Sequence, residues 1–219
     1  TSVAARARVV AVSVHYRCAP EHPLPAAYDD SWTALRWVVA GGAGEPWLAG
    51  HGDLARVFLA GDSAGGNIAH YLAMRAGAEG LGAEVEGAVL THPYFWGADP
   101  VGKESADPWF RAKMEAMWRF VCPSSEKGVE DPWVNPTAEG APSLAGLGCR
   151  RVLVCVAEKD VLSERGRHYY EALRGSGWPG VVEMVESEGE EHVFHLFNST
   201  CDKAKEMMDR LVAFLNRGC

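Results

Sequence analysis

The sequence predicts an α/β protein, with a mostly parallel sheet and helices on both faces. Three observations carry that prediction. Short apolar runs of strand length alternate along the chain with longer segments of helical periodicity. A glycine-rich turn, Gly61-Asp62-Ser63-Ala64-Gly65-Gly66, joins one such run directly to a helical pattern. Two later runs are followed by an acid and by a histidine, and an open α/β sheet places its chemistry beyond the C-terminal ends of its strands.

Val9-Val10-Ala11-Val12-Ser13-Val14-His15-Tyr16 reads as the first strand, being rich in β-branched residues. Pro20, Pro23 and Pro25 then impose an irregular path, which Arg17 and the pair Asp29-Asp30 can anchor. Ala26 to Ala40 reads as a helix carrying Trp32, Leu35, Trp37 and Val38 and stopped by Gly41-Gly42. Val57-Phe58-Leu59-Ala60 is the next strand, and Asn67 to Met74 has the look of the helix that follows the glycine turn. Gly87 to His92 is a further strand. The stretch from Tyr94 to Gly148 breaks the alternation. It holds one amphipathic helix, with Phe110, Met114, Met117, Trp118 and Val121 on a face, between segments rich in Pro, Gly and acids. Trp96, Trp109, Trp118 and Trp133 in this region read as core packing. Arg151 to Ala157 is a continuous apolar run, so a strand buried on both faces, and Val181 to Val185 is another. A last helix starts near Ser199-Thr200-Cys201-Asp202, with Ala204, Met207, Met208, Leu211, Phe214 and Leu215 on one stripe.

Composition narrows the class. A chain of 219 residues, 47% hydrophobic and 23% charged, is ordinary globular usage and long enough for one large core. A net charge of −8 disfavours nucleic acid and anionic membrane surfaces as partners, and no apolar stretch is long enough to cross a bilayer. The six cysteines are scattered without Cys-x-x-Cys spacing, which reads as reduced thiols in a cytoplasmic protein. His192 and His195 could share a helical face, yet no other His or Cys pair has the spacing to complete a zinc site, so no metal and no cofactor is expected.

Strand, Gly-x-Ser-x-Gly, helix is the context of a nucleophile elbow, in which Ser63 sits at the apex of a sharp turn. Such a serine can attack a carbonyl if a base and an orienting acid reach it. The chain order Ser63, Asp160, His192 supplies both. Glu158 and Glu164 compete with Asp160 for the acid's place, and Asp160 could instead cap a helix. His195 competes with His192. His15, His22, His51, His70, His92 and His168 read as structural or surface residues.

Several long segments then match one family in order. They are Tyr16 to Asp30, the elbow, His92-Pro93-Tyr94-Phe95-Trp96-Gly97, Asp131-Pro132-Trp133-Val134-Asn135-Pro136, and Glu190-Glu191-His192-Val193-Phe194-His195. In these the chain resembles plant carboxylesterases of the hormone-sensitive-lipase-like branch of the α/β-hydrolases. The resemblance implies an α/β-hydrolase domain over residues 1–219 with a partial cap at about 94–148. It implies a serine carboxylesterase that acts on small-molecule esters through an acyl-enzyme, with Ser63, Asp160 and His192 catalytic and His195 left to packing. Ala64 gives one oxyanion N–H, and no cofactor is used. Cys18 stands where the family most often has leucine. Members also carry a His-Gly-Gly-Gly motif upstream of the Tyr-Arg segment, and no such motif is present here. On the resemblance, the chain is N-terminally truncated, lacks the N-terminal strands and most of the oxyanion hole, and is a poor esterase until they are restored. The alternatives are an impaired fragment or a small-ligand-binding protein like the gibberellin receptors, which share the elbow but lack the triad histidine.

Overall fold

The protein is described from a computed structural model over residues 2–218. Along the chain its regular elements are α1 (Ser2–Ala7), α2 (Ala26–Val39), α3 (Pro46–His51), β1 (Val57–Asp62), α4 (Ala64–Glu79), β2 (Val85–Thr91), α5 (Pro108–Val121), β3 (Cys149–Ala157), α6 (Ser163–Gly175), β4 (Val181–Ser187), α7 (Phe194–Phe197) and α8 (Asp202–Asn216). The four strands form one sheet in the order β1-β2-β3-β4, and every pairing is parallel. Parallel neighbours need a crossover between them, and α4, α5 and α6 lie in those crossovers. Register brings Asp62 beside Thr91, Thr91 beside Cys155, and Ala157 beside Ser187, so the four C-terminal ends line up along one rim.

Period-two alternation along β3 divides the core between the two faces of the sheet. Val152, Val154 and Val156 face α2, α4 and α6, where Leu35, Ile68, Leu72, Tyr169 and Leu173 are buried. Leu153, Cys155 and Ala157 face the other way, toward Ala7 of α1 and Met207, Leu211 and Phe214 of α8. Each such fully buried aliphatic or aromatic side chain contributes about 1.5–3 kcal/mol relative to exposure. A third, smaller cluster lies outside the sheet, where Met114 and Trp118 of α5 close on Trp96, Cys122, Val129, Val134 and Leu162.

Arg17 anchors the proline-rich segment to α2, its Nη2 donating to Asp30 Oδ1 at 2.7 Å and its backbone N–H to Oδ2 at 2.9 Å. Those hydrogen bonds hold the Asp30 carboxyl down at about 2. As expected, α8 starts within Ser199-Thr200-Cys201-Asp202: its cap is Cys201, one residue before the helix-opening Asp202, with Sγ accepting from the Ala204 N–H at 3.4 Å. Three details differ from the sequence expectation. Val9 to Tyr16 is not a strand, because no described strand accepts its backbone groups, and Val10 and Val12 are 37% and 44% exposed. Trp109 is 75% exposed at the start of α5, while Trp96 and Trp118 are buried as expected. Met117 also lies on the solvent side of α5.

Candidate active site

Ser63 sits between β1 and α4 in a backbone state that few non-glycine residues adopt, with φ of 55° and ψ of −115°. Such strain costs about 1–3 kcal/mol and persists only where the surroundings over-determine it. Here they do. The Ser63 N–H donates to Thr91 O at 2.9 Å, and the Ser63 carbonyl accepts from the Tyr94 N–H at 2.9 Å, tying the turn to the end of β2. The three glycines of the turn are not equivalent. A Cβ on Gly61 would lie 2.2 Å from the backbone of Gly65, and one on Gly66 would lie 3.1 Å from Pro93 Cα, whereas one on Gly65 would meet open space.

The other two residues of the expected triad converge on this serine from different strands. His192 follows β4, and its Nε2 lies 3.0 Å from Ser63 Oγ. Asp160 follows β3, and its Oδ2 lies 2.8 Å from His192 Nδ1. The Asp160 side chain is 1% exposed and that of His192 35% exposed, so the acid is dry while the imidazole opens to solvent. With a carboxylate accepting from Nδ1–H, the lone pair of His192 is left on Nε2, facing the serine hydroxyl. Ala64 opens α4, so its N–H belongs to the first turn, whose donors have no acceptor within the helix.

The competing assignments separate. Asp160 does not cap α6, whose N-cap Leu162 has no side-chain cap hydrogen bond; its Oδ1 accepts from the Leu162 N–H at 3.0 Å in the turn before the helix, leaving Oδ2 to His192. Glu158 accepts from the Gly189 N–H at 2.7 Å, and Glu164 pairs with Arg167 at 2.6 Å. His195 does more than pack, since its Nε2 lies 3.1 Å from Asp62 Oδ1, beside the nucleophile.

Sequence reasoning missed His92. Its ring is wholly buried against the site, and its Nδ1 accepts from the Val193 N–H at 2.8 Å. The one available signal was its position, immediately past the end of β2 on the rim that carries the other site residues. Ligand atoms of His92, Asp160 and His192 lie within 4.8 Å of one another. The Asp160 carboxylate, however, accepts from His192 and Leu162, His92 Nδ1 accepts from Val193, and His192 Nε2 faces Ser63 Oγ, which fits a hydrogen-bonded cluster better than a metal centre.

A family model described as alpha/beta hydrolase fold matches residues 1–196. The chain belongs to that family. As an α/β hydrolase it is 52% identical to a protein named probable carboxylesterase 2 of Arabidopsis thaliana, over 97% of this chain and 67% of that one. It is also 52% identical to tuliposide A-converting enzyme 1 of Tulipa gesneriana, over 98% of this chain and 55% of the tulip protein. The chain thus spans between about half and two thirds of these relatives. Among solved structures, the hyperthermophilic esterase of Pyrobaculum calidifontis superposes with a TM-score of 0.75 at 28% identity, covering 97% of this chain and 68% of the esterase.

These relatives correct the expectation of a cytoplasmic protein. The tulip enzyme is named chloroplastic, and a further tulip relative, 49% identical, is named amyloplastic. The physical reason for the miss is plain. Cys18, Cys122, Cys149, Cys155 and Cys201 are free thiols, and the reducing surroundings that keep thiols free are not unique to the cytoplasm. No helix among the described residues is long and apolar enough to cross a membrane.

Proposed function

We propose that this α/β hydrolase is a serine carboxylesterase that hydrolyses small carboxylic esters through an acyl-enzyme intermediate. The observation that carries the reading is the unbroken string from Ser63 Oγ to His192, 3.0 Å, and from His192 to Asp160, 2.8 Å. Ser63 Oγ attacks the ester carbonyl carbon as His192 Nε2 takes its proton. The carbonyl oxygen becomes an oxyanion, to which the Ala64 N–H, as the residue after the nucleophile, serves as one donor. Collapse of the tetrahedral intermediate expels the alcohol, which leaves with the proton held on His192. Water then repeats the sequence on the acyl-enzyme and returns the proton to Ser63. Asp160 holds the tautomer and stabilises the imidazolium without taking the proton itself. His192 speaks against a receptor-like reading, since a ligand-binding protein has no need of a base at this distance from the serine.

Residues of about 94–148 are read as a cap. Their cluster around Trp96, Met114 and Trp118 lies outside the sheet, and an open cavity of about 890 Å³ separates Trp109 and Phe110 from Val161. That cavity borders Asp160 and not Ser63, so it is assigned to the substrate's outer part at most.

The test is a fluorophosphonate probe with peptide mapping, alongside hydrolysis of a short-chain nitrophenyl ester. Ser63 is expected to carry the label, and Ser63→Ala to lose both label and turnover. His192→Ala is expected to lower turnover by roughly 10⁴-fold or more, with Asp160→Asn less severe, because Asn keeps the ring in place but favours the wrong tautomer. Labelling of another serine, with Ser63 unmodified, overturns the reading.

A further inference from the structure

The loop that carries His192 is held in a costly backbone state, and a buried side chain outside the triad holds it there. Val193, the next residue, has φ of 46° and ψ of 32°, the left-handed region, which is a genuine outlier for a β-branched residue. Its N–H donates to His92 Nδ1 at 2.8 Å. His92 is itself fixed, with φ of 48° and its own N–H donating to Cys155 O at 2.8 Å, so the acceptor is built onto the sheet rim through β3. Phe194 stacks on its ring, at 6.0 Å between centroids and 25° between planes.

We propose that His92 is a positioning residue: by accepting the Val193 N–H it holds the left-handed turn that aims His192 at both Ser63 and Asp160. The proposal rests on the esterase reading only for its activity measurements.

The arrangement demands one protonation state. An Nδ1 that accepts a hydrogen bond carries a lone pair, so the neutral ring must hold its proton on Nε2. Burial supplies that state, lowering the His92 pKa to about 4. The groups facing the ring divide: Asp160, whose Oδ2 is 3.9 Å away, and Asp62 favour the cation, while His192 and His195 disfavour it. Burial outweighs the carboxylates. A doubly protonated His92 would set two N–H groups against each other at Val193 and release the turn.

The test combines the unmodified chain with His92→Leu, which removes the acceptor, and His92→Asn, whose amide oxygen can restore it. In the unmodified chain, ¹⁵N shifts at neutral pH are expected to place the His92 proton on Nε2. His92→Leu should lower kcat roughly 10–100-fold with KM little changed, and should erase the downfield proton resonance of His192 Nδ1–H. His92→Asn should recover most of the kcat and that resonance. A proton on His92 Nδ1 in the unmodified chain overturns the proposal. So does a His92→Leu variant with undiminished kcat, or a folded His92→Asn variant as damaged as His92→Leu. If His92→Leu does not fold, the tautomer and the Asn variant decide. If the unmodified chain neither labels at Ser63 nor cleaves the ester, the esterase reading has failed, and the ¹⁵N tautomer and the His192 resonance still decide the role of His92.

Discussion

At the scale of single residues, the site is a set of side chains whose directions are fixed by backbone states most residues avoid. Ser63, His92 and Val193 all have positive φ, and all three meet at the same rim. This is where sequence reading reached furthest and also where it stopped. Ser63 was legible because the elbow needs a specific glycine spacing, and Asp160 and His192 because each follows an apolar run. His92 was not, because its partner is a main-chain N–H, which leaves no complementary side chain to find. Nor could the sequence rank the elbow glycines. We expect Gly61→Ala to destabilise the fold by about 3 kcal/mol, since its Cβ would sit 2.2 Å from the Gly65 backbone with no flexible atom to yield. Gly65→Ala, with open space at its Cβ, should instead leave stability unchanged or raise it by about 0.5–1 kcal/mol. Urea midpoints of the two variants measure the contrast, and equal losses would show that the turn's sterics are misassigned.

At the scale of elements, periodicity located the helices and the buried strands because burial imposes it. Richness in β-branched residues misled at Val9 to Tyr16, where no described strand lies alongside to pair with it, and a strand needs a neighbour. Periodicity also could not foresee how the segment before α5 is held. The Glu104 side chain, 1% exposed, pairs with Arg165 of α6 at 2.6 Å and with Arg111 of α5 at 3.3 Å. Arg111 and Arg165 also reach the carbonyls of Gly97, Ala98 and Asp99, and both lie over the Trp96 ring. One acid thus locks residues 97–104 onto two helices. Breaking a buried pair from one side strands the remaining charges, at a cost of about 3–5 kcal/mol. Glu104→Gln is accordingly expected to lower the urea midpoint and to open residues 97–107 to limited proteolysis before the sheet is cut. Cleavage elsewhere first would show that the cluster does not hold this segment.

At the scale of the whole molecule, two neutral histidines buried inside the fold make stability depend on pH. Burial lowers His70, whose Nδ1 lies 3.0 Å from the Tyr169 hydroxyl, to about 3, and His92 to about 4. The unfolded chain binds those protons near 6.5 and the folded chain does not, so between the two values the unfolded state holds more protons. Their contribution is therefore complete above about pH 6.5 and is lost as pH falls toward 4 and then 3. Each histidine adds a slope of about 1.4 kcal/mol per pH unit within its window. Urea unfolding at pH 7 and pH 5 should show a marked loss at the lower value, and His70→Gln should shrink that loss. A pH-independent midpoint would mean that the two rings are not held neutral.

The rim to which all four strands run has a consequence for how the protein is made. Ser63 and His192 touch across 129 residues of chain, the nucleophile following β1 and the base following β4, the two outer strands of the described sheet. A chain emerging from the ribosome therefore exposes its serine long before anything can activate it. Until β4 has docked and residue 192 is free to turn back, that hydroxyl is no more reactive than any other in the cell, and the nascent chain is chemically mute. Covalent capture by a fluorophosphonate should then appear as the last event of folding, in step with closure of the sheet's far edge and not with the earlier burial of β1 and β2.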